Sequence, residues 1–575
     1  MNHTFIALIP KCNKPILAKK FRPISLCNVA HKMCSKITAS RLKLHLDNLI
    51  SPTQMAFVPN RNICDNSIIS HEKMHYLHNT RGKKGFMAIK VDMAKAYDRV
   101  EWSLLCSILE RFGFSKKFVH LIHQCMSTTS FSVLINGSPF GMINPSRGIR
   151  QGDPFSPYLF IIYFELLSRM LTRLENLNLI NGIKVTRKSP SFTHLMYADD
   201  LVIYCQANSE NANIVQKCLS SFESWSGLSI SKPKSVVHFS RNVDPGLKSV
   251  LLSILDINEC CHKIKHLGLP FCKQQSRTSC FNELVESLQS KLSGWKSKNL
   301  SQAGRLILLK SVAQALPVYH MSNFLLPIRI CEKLDACMRS FFWGHNPSQR
   351  KLSLKCWDEI CLPKPLGGLG LCKMHDLNHA LNTKFAWKLT ENGNCLWASL
   401  FWAKYLNSSN ILNYVGQGSN ASWTWIDILK CRDVLTKGSC FSISANSKIL
   451  TWLEPWIPSL VGFIPPPSFS SSVCVSYALV DSLIEPITND WDFDNSLEAF
   501  PPSIAHAIFK IKISSSSDPP ALFWTPSASG KFSVKRAFSS ICNPPRCSSS
   551  HFSSTNPLFK KIWSSRLHER HKIFI

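Results

Sequence analysis

The chain of 575 residues is 45% hydrophobic, which allows several packed cores and excludes a disordered or fibrous protein. Lys and Arg number 67 against 36 Asp and Glu, and the resulting +31 is spread along the chain, so a polyanionic partner is expected, nucleic acid first. The 23 cysteines follow no framework of short spacings, which predicts reduced thiols in the cytosol or nucleus.

In chain order, MNHTFIALIP at 1–10 lacks a basic start and a cleavage site, so no signal peptide is predicted. HEKMH at 71–75 fits the HExxH zinc pattern, but no third ligand can be placed and the segment predicts an ordinary surface helix. FMAIKV at 86–91 predicts a strand that ends at Asp92, and MAKAYDRVEWSLLCSILERFG at 93–113 then takes up helical periodicity. FSPYLFIIYFELL at 155–167 is shorter than the roughly 20 residues of a spanning helix and contains Pro157 and Glu165, so it predicts a buried helix. HLMY and LVIYC, separated by ADD, predict a hairpin whose tip projects Asp199 and Asp200. Residues 281–316 read as helical, with Phe281, Leu284, Val285, Leu288, Leu292 and Trp295 in one stripe beside Lys291, Lys296, Lys298, Arg305 and Lys310. Ser/Pro-rich breaks come only later, at 464–472, 514–520 and 542–554, and no internal repeat is evident.

If the strand before Asp92 lies beside the hairpin, three carboxylates from distant stretches of chain converge at one sheet edge. Their repulsion then calls for a cation. Hard oxygen donors suit Mg²⁺, and two such ions about 4 Å apart serve phosphoryl transfer. A solvated turn would account for ADD alone, since Asp is a common turn residue. It would need neither apolar arms nor a second strand ending in Asp.

YADD at 197–200 and KVDMAKAYDRVEW at 90–102 resemble the two acidic boxes of the reverse transcriptases of non-LTR (LINE-type) retrotransposons, plant elements above all. Further blocks follow in the family's order: FIALIPK at 5–11, FRPISLCN at 21–28, SPTQMAFVPNRNICDNSIISHE at 51–72, SRGIRQGDPFSPYLFIIYFELLSRM at 146–170, SGLSISKPKS at 226–235 and IKHLGLPF at 264–271. The likeness continues through 292–319, 356–371, 451–458, 523–538 and 558–575, the last three like the start of the family's zinc-binding region.

The resemblance implies an α+β right-hand polymerase: fingers over 1–85, palm over 86–275, a thumb-like helical region over 276–345, a connecting region over 346–455 and a looser, partial zinc-binding-like extension over 456–575. It implies RNA-directed addition of deoxynucleotides to a primer 3′-hydroxyl with two Mg²⁺ ions. RNA template, DNA primer or target DNA and deoxynucleoside triphosphates would be the partners, with no membrane and no evident protein partner, in nucleus or cytoplasm. Asp92, Asp199 and Asp200 would be the metal-site acids, with the backbone carbonyl of Met93 a further oxygen. Tyr97 would be the gate against a ribose 2′-hydroxyl, Gln151 and Gly152 would flank nucleotide and template, Arg22 would meet the triphosphate and Lys234 would be the late palm lysine. Asp98 reads equally as a structural ion pair, and Ser231 stands where the family usually has Asn.

The chain begins just ahead of the fingers and stops inside the last block, so a copy truncated at both ends, without its endonuclease domain, is expected. Cys542, Cys547, His568 and His571 match no compact zinc pattern. A remnant that only binds nucleic acid is the alternative from another class. A group II intron maturase or telomerase-like polymerase would share the acidic boxes, but PLGGLGL and the Trp-rich tail favour the LINE type.

Overall fold

The computed structural model describes residues 2–260, 265–270, 276–294, 300–345, 352–391, 395–407, 410–414, 416, 420–444, 448–460, 462–466, 477–514, 520–542, 557–567 and 572. Trp295, Lys296 and Lys298 of the helical stripe and three of the four zinc candidates, Cys547, His568 and His571, lie outside them. The chain divides into two compact units, 1–271 and 272–575.

The first unit is α+β and, besides the short antiparallel pair Lys265–His266 and Leu269–Pro270, holds two larger sheets among its described residues. One is built from β1 (His3–Pro10), β2 (Phe21–Leu26), β4 (Ser130–Ile135) and β5 (Ser138–Ile143) in the order β2-β1-β4-β5. The other has the order β6-β7-β3-β8-β9, from β3 (Phe86–Val91), β6 (His194–Tyr197), β7 (Asp200–Gln206), β8 (Val236–Phe239) and β9 (Asn258–Glu259). Its pairings are antiparallel except β8 with β9. β3 is central, hydrogen-bonded to β7 on one side and β8 on the other, and its run of apolar residues suits a strand with no free edge.

Behind this sheet runs α6 (Ser156–Asn176), whose first turn holds Pro157, a residue suited to that position. Phe160, Ile161, Ile162, Tyr163 and Phe164 have no exposed surface, each stabilising the unit by about 1.5–3 kcal/mol. They join one core with Met87, Ile89 and Val91 of β3 and Leu201 and Ile203 of β7, so the acid-bearing strand ends are anchored in a close-packed core. α7 (Ser209–Ser226) is capped by Asn208, whose side chain accepts from the Asn211 N–H, and is closed by Gly227 at φ +65°.

Two expectations change. The helix predicted from residue 93 starts only at Trp102: Lys95 sits at φ +49°, residues 96–99 form a 3₁₀ turn, and α4 spans Trp102–Arg111. The cause lies in the sheet, since Met93 bridges to Ile230 and the Ala94 N–H donates to the Ser229 carbonyl, holding 92–94 extended. The HEKMH helix, α3 (Ile63–Asn79), is buried and not on the surface: Glu72 and Lys73 are fully covered. Small residues on α3 let the hairpin strands approach, Ser70 meeting the Tyr204 hydroxyl at 3.1 Å and Asn66 donating to the Met196 carbonyl at 3.0 Å.

The second unit is helical, with helices Asn282–Gly294, Ile328–Trp343 and Met374–Thr390 among its longest. Ile443, Ile449, Trp456, Ile457, Val480, Leu483 and Ile508 belong to one buried core there. Eighteen described cysteines stand outside any disulfide, while Cys280 is in one, an exception to the expected reduced thiols. Among the described residues no helix is long and apolar enough to cross a membrane.

Candidate active site

Val91 pairs with Leu201, so Asp92 and Asp200 are the neighbouring residues at the ends of two hydrogen-bonded antiparallel strands. β6 returns against β7 with Tyr197 opposite Asp200, leaving Ala198 and Asp199 as a two-residue tip with Ala198 at φ +55°. Asp200 thus opens β7, and Asp199 alone belongs to the tip.

The other side of Asp92 is set by residues 229–235. The Asp92 N–H donates to Ser235 Oγ at 3.1 Å, and its carbonyl accepts from the Ser231 N–H at 2.7 Å. The Ser231 carbonyl in turn accepts from the Lys234 and Ser235 N–H groups, so main chain organises this turn and Ser in place of the family's Asn leaves it formed. Lys234 Nζ lies 3.9 Å from Asp92 Oδ1.

The electrostatics follow from these positions. Asp199 is open to solvent on one side, yet the packing behind it, and then the Asp92 charge, hold its carboxyl above the ordinary range; its own N–H, Arg22 and Lys234 oppose this. Asp200 is raised by burial first, with Lys90 opposing and Asp199 and Asp92 adding to the rise. Asp199 and Asp200 at the hairpin thus resist ionising together. The described set whose candidate ligand atoms all lie within 4.8 Å of one another is a different one: Cys27, His31 and Asp153. There Asp153 is already satisfied by His31 Nε2 at 2.7 Å, the Ser35 hydroxyl and the Phe155 N–H, with Arg150 Nε at 3.6 Å, so the positive charge is in place and the cluster is a structural tie. The aspartates offer only oxygen donors and carry more negative charge than the neighbouring Lys234 offsets, which fits a hard divalent cation.

Tyr97 stacks on Phe160 with ring centres 4.8 Å apart and planes 12° apart; burial first and Asp199 second push its hydroxyl pKa up, which places it beside the acids. Arg22 is an exposed residue of β2 within electrostatic reach of Asp199. Gln151 donates through Nε2 to Asp98 at 3.3 Å and accepts the Ser25 N–H on its carbonyl at 2.7 Å. Asp98 is therefore tied to Gln151. Gly152 has φ +112°, and a Cβ there would lie 2.9 Å from the Ser25 carbonyl oxygen, so only glycine fits against β2. Met93 is buried, with its backbone beside Asp92. The structure thus gathers Asp92, Asp199, Asp200, Tyr97, Arg22 and Lys234, and ties Gln151 and Gly152 to the strand that carries Arg22. Gln54, which grips the hairpin tip, lies in the 51–72 block, but no local pattern assigns it this contact, because its partner is 144 residues away along the chain.

A mixed sheet with acids at the ends of adjoining central strands, backed by long helices, defines the α+β palm of a right-hand nucleic-acid polymerase. Residues 9–271 match the family model described as reverse transcriptase (RNA-dependent DNA polymerase). A putative ribonuclease H protein of Arabidopsis thaliana is 28% identical over 323 residues, 53% of this chain and 49% of that protein. An uncharacterized 149 kDa protein of transposon TX1 from Xenopus laevis is 28% identical over 346 residues, covering 59% of this chain and 25% of its own length. The Pol polyprotein of the type-2 retrotransposable element R2DM of Drosophila melanogaster is 24% identical over 374 residues, 63% of this chain and 33% of the polyprotein. The chain thus spans about half or less of the length of these relatives.

Proposed function

We propose that the chain is an RNA-directed DNA polymerase of a non-LTR retrotransposon, of plant type in view of its Arabidopsis relative. It would extend a primer 3′-hydroxyl with deoxynucleotides on an RNA template. The observation that carries the reading is the register that sets Asp92 beside Asp200 and Asp199.

In this reading 1–85 serve as fingers, 86–275 as palm and 276–345 as thumb, followed by the connecting and zinc-binding-like regions. Asp92, Asp199 and Asp200, with the Met93 carbonyl, would hold two Mg²⁺ ions. When bound, such ions activate the primer hydroxyl and neutralise the leaving pyrophosphate. Arg22 and Lys234, whose Nζ lies 3.9 Å from Asp92 Oδ1, supply positive charge for the triphosphate. Tyr97, fixed by its stack on Phe160, presents a rigid edge against a ribose 2′-hydroxyl. Gln151 and Gly152 form a floor for nucleotide and template, and the net charge of +31 suits their phosphates.

The test is primer extension by the purified chain on an RNA template with Mg²⁺. Extension that disappears in Asp199→Ala supports the site. Equal extension in both proteins refutes it, and RNA binding that falls steeply with salt but never yields extension favours the non-catalytic remnant.

A further inference from the structure

We propose that Gln54 is a positioning residue for the acidic hairpin: one buried amide grips the Ala198 main chain and thereby sets the direction of the Asp199 carboxylate. The inference rests on the reading that Asp199 binds a divalent cation.

Gln54 is 1% exposed. Its Oε1 accepts the Ala198 N–H and the Ala56 N–H, both at 3.0 Å, and its Nε2 donates to the Ala198 carbonyl at 3.3 Å. In a two-residue hairpin the first tip residue has no ladder partner, so its N–H and carbonyl ordinarily turn to water. Here a single side chain takes both. Only an amide of this length has the donor and the acceptor that the task needs: Glu lacks the donor, Met lacks both, and Asn is one methylene short.

The grip reaches the carboxylate through one peptide unit. Its oxygen is the Ala198 carbonyl held by Gln54, and its N–H belongs to Asp199 and meets that residue's own carboxylate. Rotating this peptide breaks both contacts.

Gln54 is itself well anchored. It bridges to Met196, which donates its N–H to the Thr53 carbonyl at 2.9 Å and accepts the Met55 N–H at 3.1 Å. Arg61 Nη1 donates to the carbonyls of Ser51 at 2.6 Å and Gln54 at 2.9 Å. The amide therefore acts from a fixed base, as a partner that orients a metal ligand must.

The test uses the full chain and Mn²⁺ as probe, titrated by electron paramagnetic resonance without nucleic acid. Gln54→Met is expected to weaken Mn²⁺ binding about tenfold, the scale for outer partners of metal ligands, while the unfolding midpoint stays well above the assay temperature. Unchanged affinity in Gln54→Met, with weakened affinity in Asp199→Asn, overturns the positioning role and leaves the metal site standing. Unchanged affinity in Asp199→Asn overturns the site and the inference together. A loss in Gln54→Met that only tracks the fraction unfolded assigns a merely structural brace and also overturns the inference. If Gln54→Met does not fold, hydrogen exchange of the wild type decides: protection of the Ala198 amide comparable to that of β6 supports the grip, and free exchange refutes it.

Discussion

Replacing Gly152 by Ala tests how the Gln151–Gly152 floor is held. At φ +112° an L side chain pays roughly 1–3 kcal/mol of backbone strain. The new methyl would also sit 2.9 Å from the Ser25 carbonyl oxygen and 3.5 Å from Ile24 Cγ2. β2 cannot yield cheaply, because it is paired with β1 from Phe21 to Leu26. The loop must move instead, stretching the 2.7 Å bond from the Ser25 N–H to the Gln151 carbonyl, worth about 1 kcal/mol. The expected total is about 2–4 kcal/mol, read as a lower urea midpoint at unchanged m, with a raised KM for deoxynucleotide in primer extension. Gly82→Ala is the control, since nothing lies within 4 Å of a Cβ there. A Gly152→Ala protein within about 0.5 kcal/mol of wild type and with the same KM would refute the reasoning.

The raised carboxyls of Asp199 and Asp200 bind protons in the folded state at pH values where the unfolded chain has released them, so stability falls as pH rises through that window. Asp200→Asn should therefore raise the melting temperature at pH 7 without metal and lose the advantage below about pH 4, and added Mg²⁺ should stabilise the wild type more than the variant. Lys73 behaves oppositely: buried, with Nζ 2.6 Å from the Phe192 carbonyl, it has a depressed pKa, so stability should rise with pH from that pKa toward about 10.5. Lys73→Met should flatten this slope in melts at pH 8 and pH 10. In the second unit Asp427, 3% exposed, takes the Arg277 guanidinium and the Leu325 N–H. Arg277→Ala leaves that carboxylate buried and unpaired and should cost about 3–5 kcal/mol in chemical denaturation.

The site was largely legible because its parts are marked locally. FMAIKV and LVIYC are runs of apolar and β-branched residues, and an acid at the end of each stands out in a chain short of acids. Helical periodicity misled at 93–101, where Met93 and Ala94 are claimed by residues 229 and 230, a long-range pairing that local propensity cannot foresee. The pattern of α3 hid its burial because its polar residues look solvent-facing. Glu72, Lys73, Asn66 and Ser70 are all covered, and the partners of Asn66, Lys73 and Ser70 include Met196, Phe192 and Tyr204, far along the chain.

Residue type and near neighbours were enough to mark the charged candidates for the site and the short segments that form strands. Only the tertiary structure decided that Asp92 lies beside Asp200, that Tyr97 is fixed against Phe160, and that the tip of the hairpin is gripped by Gln54. Those are choices of register and packing, made by hydrogen bonds and close contacts between residues far apart in the chain.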